Sequence, residues 1–150
     1  MNFQDFVNKG LLKEEKIGFD KIEILIVRAL RIIKSAKTLF HDDEESAFQL
    51  SYEAMLLAGR SLVFSLGFRP RAIGSHKIVV DVTEKVLGKK YKTLVEKFDR
   101  MRKKRHYLIY GIGLTVSGTE TKNAINSAGE LVDKVKAYIE KKNPQKKFKF

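Results

Sequence analysis

From Ile22 to Ile139 apolar residues recur every three or four positions, and the runs break only at short stretches marked by Gly, Asp or Pro. That period puts side chains on one face of an α-helix, whereas a half-buried strand needs alternation. Ile22, Leu25, Ile26, Ala29, Leu30, Ile33 and Ala36 predict a helix reaching about Leu39, and Asp20-x-x-Glu23 resembles a capping box at its start. His41-Asp42-Asp43 ends that pattern and offers new caps. A long second helix follows from Glu44 to Leu66, rich in small residues that let a neighbour approach, with Gly67 and Pro70 at its end. Ser75 is placed to cap a third stripe, Ile78, Val79, Val82 and Val86, which stops at Gly88. A fourth helix runs from about Tyr91 to Tyr110, and Ser117-x-x-Glu120 is a second capping box opening the last, from Ala124 to Ile139.

The fold class on this reading is all-α, an antiparallel helical bundle of about five helices in one domain. Residues 1–18 form an N-terminal arm or short helix, 19–142 the bundle, and 143–150 a basic tail with two aromatics, expected to be mobile. Thirty Lys and Arg against 18 Asp and Glu give a formal charge of +12, which favours an anionic partner: nucleic acid first, an acidic protein second. The absence of cysteine removes disulfides, thiol catalysis and thiolate metal sites, and fits a cytoplasmic protein. Met1-Asn2-Phe3-Gln4-Asp5 lacks the basic start and apolar run of a secretory signal. The longest apolar stretch, Ile22 to Ile33, is interrupted by charge and too short to span a bilayer, so no membrane partner is expected.

The densest chemistry lies in Asp99-Arg100-Met101-Arg102-Lys103-Lys104-Arg105-His106-Tyr107-Leu108-Ile109-Tyr110. On a helix, Leu94, Phe98, Met101, Leu108 and Ile112 share one face, expected to pack into the bundle. Arg105 falls inside that apolar stripe, where a charge is costly unless paired or hydrogen-bonded. Either it is buried against Asp81, Glu84 or Asp99 and holds two helices in register, or it opens into a cleft and grips a phosphate with its donor fork. Arg102 and His106 lie four apart on the shoulder of the stripe, while Arg100, Lys103, Lys104 and Tyr107 turn toward solvent or a partner. For Lys103 and Lys104 a solvated face is the simpler reading. His41-Asp42-Asp43-Glu44 looks like a ligand set, but consecutive helix-start residues point apart, so no metal and no cofactor is expected.

Two blocks resemble the HEPN superfamily (higher eukaryotes and prokaryotes nucleotide-binding). One is Ala47-Phe48-Gln49-Leu50-Ser51-Tyr52-Glu53-Ala54-Met55 through Ala58-Gly59-Arg60-Ser61-Leu62 to Leu66-Gly67-Phe68, followed by Gly74-Ser75-His76-Lys77-Ile78, where the family often carries a Gly–His pair. The other is Arg105-His106 through Tyr110-Gly111, then Ser117 and the last amphipathic helix. The family's motif is an arginine, often followed by Asn, Asp or His, then a histidine after four to six intervening residues. Two registers fit. Arg100 with His106 leaves five residues between them, but Met101 replaces the polar neighbour; Arg105-His106 matches that pair better and puts Tyr110 where a histidine would end the motif.

The resemblance implies a homodimer whose two motifs line one cleft, RNA or nucleotide as partner, and in many members metal-independent endoribonuclease activity. It implies, too, the toxin of a toxin–antitoxin module, partnered by a small nucleotidyltransferase antitoxin. Arg100, Arg105 and His106 would then be catalytic in attack by RNA's own 2′-hydroxyl, with Arg102, Lys103, Lys104 and Tyr110 holding RNA or nucleotide. The alternative is a non-catalytic module that binds RNA, nucleotide or protein, which Tyr110 at the motif's end favours.

Overall fold

The computed structural model describes residues 2–71, 75–113, 115–144 and 146–150. Six α-helices and two short strands follow one another: α1 (Phe3–Asn8), β1 (Leu12–Glu14), α2 (Phe19–Leu39), α3 (Glu44–Ser65), β2 (Phe68–Pro70), α4 (Ser75–Leu87), α5 (Lys92–Tyr110) and α6 (Gly118–Lys142). A 3₁₀ turn, Lys89–Tyr91, leads into α5. The helical period is therefore a correct guide to α2 through α6. Among the described residues no helix is long and apolar enough to cross a membrane.

α3 is the axis of the molecule. It packs most extensively on α2 and α6, and also on α4 and α5. Contact on every side explains why nearly all of it from Ala47 to Phe64 is buried, where a surface helix would bury one stripe. Its buried hydroxyls stay paired within the helix: Ser51 Oγ donates to Ala47 O at 2.8 Å and Ser61 Oγ to Ala58 O at 2.6 Å. Gly59 marks the closest approach. A Cβ there would overlap Val79 Cγ1 of α4 and come within 3.2 Å of Thr83 Oγ1. Gly59→Ala should therefore destabilise the fold by about 1–3 kcal/mol through overpacking, read as a lower urea midpoint; an unchanged midpoint would mean that α3 and α4 are not in van der Waals contact here.

The caps follow the sequence in part. Asp43 accepts from Ser46 N at 3.0 Å to open α3, and Ser117 and Glu120 form the expected capping box of α6. Asp20-x-x-Glu23 does not form one: the N-cap is Gly18, the helix begins at Phe19, and Asp20 sits inside the first turn. Ser75 is likewise the first helical residue of α4, and Gly74, the other half of the expected Gly–His segment, lies outside the described residues.

Before α2 the chain forms a short helix, α1, and then β1. β1 pairs antiparallel with β2, Lys13 opposite Arg69, which draws the start of the chain across the α3–α4 connection. At the other end Phe148 is buried, its ring stacked on Phe19 with centroids 4.7 Å apart, and Lys149 N donates to Glu23. The expected mobile tail is thus held by an aromatic anchor; Gln145 lies outside the described residues. On α5 only Leu94, Val95, Phe98 and Met101 are buried. Leu108 is half-buried and Ile112 fully exposed, correcting the expected stripe: the helix stops at Tyr110, so its period cannot carry Ile112 inward.

Candidate functional site

The cations of α5 divide by partner. Arg102 Nε donates to Asp99 Oδ1 at 2.9 Å, Lys103 Nζ lies 3.5 Å from Asp99 Oδ2, and Lys77 of α4 approaches the same carboxylate at 3.9 Å. Partial burial would raise the Asp99 pKa, but the Arg102 hydrogen bond and the surrounding charges outweigh it and hold the carboxyl below the usual range. Lys104 Nζ reaches Glu120 Oε2 at 2.6 Å, tying α5 to the start of α6. Arg100 and Arg105 form no ion pair among the described residues.

Arg105 is partly buried with its guanidinium 5.7 Å from the centre of the Tyr52 ring. Neither reading of it from sequence is met in full. Asp99 and Asp81 are engaged by other cations, and the Arg105 side chain instead lines a cavity of about 400 Å³ with Gln49 and Glu53 of α3. Beneath it Tyr52, fully buried, packs on Phe98 at 5.9 Å between centroids and places its hydroxyl 3.0 Å from His76 Nδ1. Burial pushes the Tyr52 phenol well above its ordinary range, against the lowering charges of Arg105 and Arg102, so it stays protonated. Burial lowers the His76 pKa, and Arg105, Arg102 and Arg60 push it the same way, with Glu53 opposing. The direction of this hydrogen bond follows the imidazole tautomer: with the ring proton on Nε2 the phenol donates to Nδ1, and with it on Nδ1 the phenol oxygen accepts.

This arrangement has a pH signature. A histidine whose folded value lies below the unfolded one favours folding only while neutral. Its contribution is complete above the ordinary histidine value of 6.5 and is lost as pH falls below it. Wild type should therefore lose more thermal stability than His76→Gln between about pH 8 and about pH 5; equal losses would contradict a neutral His76.

His106, next along from Arg105, faces elsewhere. It is exposed, with its ring 4.9 Å from Tyr110 and 6.1 Å from Tyr107. Tyr107, Ile109, Tyr110 and Ile112 are all exposed, so the end of α5 carries an aromatic and aliphatic patch around this histidine. Arg100 lies six residues back, about 9 Å along the helix and about 120° around it. It lines a groove of about 510 Å³ between α5 and α6, with Lys97, Lys103 and Lys104 as its basic side and Phe48, Met101 and Ala124 among its apolar residues. The seven residues singled out from sequence thus occupy three places: Arg100, Lys103 and Lys104 the groove, Arg102 and Arg105 the Tyr52 side, His106 and Tyr110 the exposed tip.

Tyr52 and His76 are the residues that sequence reasoning missed. Each lies in a block quoted for the resemblance, but nothing in the spacing shows that two residues on different helices share a hydrogen bond. Among the described residues, no three His, Asp or Glu side chains gather as metal ligands, and Asp43 of the His41–Glu44 run is engaged in capping α3. Residues 22–138 match the family model of the HEPN domain. No curated protein matches the chain.

Proposed function

The chain belongs to the HEPN domain family, and from that premise we propose that it binds RNA along α5 and cleaves it without a metal. One observation carries the reading: Arg100 and Arg105, the arginines of the two motif registers, have no carboxylate partner among the described residues, while Arg102, Lys103 and Lys104 do. An unpaired guanidinium held in place by an aromatic ring is ready to take a phosphate with two donors. The basic groove that Arg100 lines supplies a phosphate contact and apolar surface for a base.

In the reaction proposed, the RNA 2′-hydroxyl attacks the adjacent phosphorus and the bond to the 5′-oxygen breaks, leaving a cyclic phosphate and a 5′-hydroxyl. His106 takes the 2′-proton or returns one to the leaving oxygen, and Arg100 or Arg105 stabilises charge on the phosphoryl oxygens. Because His106 lies on an exposed apolar patch, a second copy of the chain meeting there would bring two histidines to one cleft. The need for a 2′-hydroxyl means that DNA is spared.

Tyr110 favours a second reading, a binding module without cleavage, since it stands where the Arg105 register would place a histidine. A nucleotidyltransferase partner belongs with either reading, and exposed Tyr107 and Tyr110 would be acceptors for nucleotide transfer. An added mass after co-expression would support that role, and an unchanged mass would count against it. Labelled single-stranded RNA incubated in EDTA with wild type and His106→Ala separates the two main readings. Cleavage by wild type alone supports the ribonuclease; binding that weakens with salt, without cleavage, supports the module.

A further inference from the structure

A second basic cavity lies away from the α5–α6 groove. It measures about 320 Å³ and forms where β2 leads from α3 toward α4, with Arg60, Arg69, Arg71, Ser75 and His76 as its polar lining. Leu56, Pro70 and Val79 give it an apolar part, and no acidic residue lines it among the described residues. Arg69 Nη1 is paired with Glu15 Oε2 at 3.1 Å, through the approach of the β1 end of the chain. Arg60 packs over Phe64 of its own helix at 5.7 Å, and neither Arg60 nor Arg71 makes an ion pair among the described residues. Three arginines thus line one small concave space, and only Arg69 has a carboxylate partner among the described residues.

We propose that this cavity binds a phosphomonoester dianion. Two guanidinium charges remain after Arg69 is matched by Glu15, and a phosphomonoester carries close to two negative charges at neutral pH, where a phosphodiester carries one. Arginine forks suit phosphate oxygens, Ser75 adds a hydroxyl, and His76, in the tautomer whose Nδ1 accepts from Tyr52, offers its Nε2–H as a further donor. The volume is at the low end for ligand pockets, which fits a phosphate on a small organic body, and Leu56, Pro70 and Val79 can cover that body's carbon face. The proposal concerns elements other than the end of α5 and does not require the ribonuclease reading.

Calorimetric titration with ribose 5-phosphate, ribose and inorganic phosphate tests it, and a 5′-phosphorylated RNA trinucleotide beside its 5′-hydroxyl form identifies the source of the group. Ribose 5-phosphate should bind and ribose should not, with Arg60→Gln and Arg71→Gln each weakening binding at least about tenfold, as expected for loss of a charge-assisted contact. A 5′-phosphorylated trinucleotide that binds more tightly, with the same dependence on Arg71, assigns the site to RNA ends; equal or weaker binding assigns it to a free small phosphate. Arg71 is exposed, so Arg71→Gln should fold, as a melting curve will show. No phosphate-dependent binding by wild type, or equal binding by the folded Arg71→Gln protein, would overturn the proposal.

Discussion

Arg105→Ala should cut RNA cleavage at least about 100-fold, the usual loss when a preorganised donor to developing charge is removed. The fold should survive it. Arg105 makes no ion pair among the described residues, and its contact with the Tyr52 ring at 5.7 Å is worth about 0.5–2 kcal/mol. Losing activity while melting close to wild type is the pattern of a residue kept for a ligand. A residue kept for packing would show the reverse. Arg105→Lys should recover charge but not the two-pronged grip, and so restore only part of the rate. Arg102→Ala makes a contrasting control, because its hydrogen bond to Asp99 is part of the α5 surface network and its loss should cost stability as well.

Tyr52→Ala should destabilise the protein by about 3–5 kcal/mol, the range for truncating a large buried aromatic. Tyr52 is fully buried in the central helix, with Phe98 on one side, Arg105 over its ring and His76 at its hydroxyl. Removing the ring leaves a cavity at the junction of α3, α4 and α5 and takes away the support of the Arg105 guanidinium. Tyr52→Phe removes only the hydroxyl and should cost about 1 kcal/mol, because half-buried His76 can turn to water. Urea unfolding of the two variants gives both numbers. A small loss for Tyr52→Ala would mean that the three helices do not meet on this ring.

The helices were legible because their signal is periodic and local. Gly67 and Gly88, both with positive φ, close α3 and α4 where sequence reading ends them. The Ile78–Thr83 run, rich in β-branched residues, still folds as helix because its buried positions keep helical spacing. The two short strands were not legible. β1 and β2 are three residues each, and their pairing joins Lys13 to Arg69 across the whole of α2 and α3. Arg105 was legible as an anomaly, a cation in an apolar stripe, but what it covers was not, since Tyr52 lies 53 residues away on another helix. The same limit hid the His76 hydrogen bond and the arginine cavity, both assembled from separate elements. The tail misled in the opposite sense: composition marked it as mobile, yet Phe148 finds a ring to stack on in Phe19.

The central claim is that unpaired arginines, and not the mass of positive charge on α5, hold RNA. Binding of a labelled single-stranded RNA across a salt series, for wild type, Arg105→Ala and Lys104→Ala, tests it most directly. Arg105→Ala should bind at least tenfold more weakly at low salt, with a slope of log affinity against log salt shallower by about 0.7, the value for one phosphate contact on a single strand. Lys104→Ala, which loses a cation already matched by Glu120, should stay close to wild type. Equal affinity and slope for Arg105→Ala and wild type, or the larger loss in Lys104→Ala, would contradict the claim.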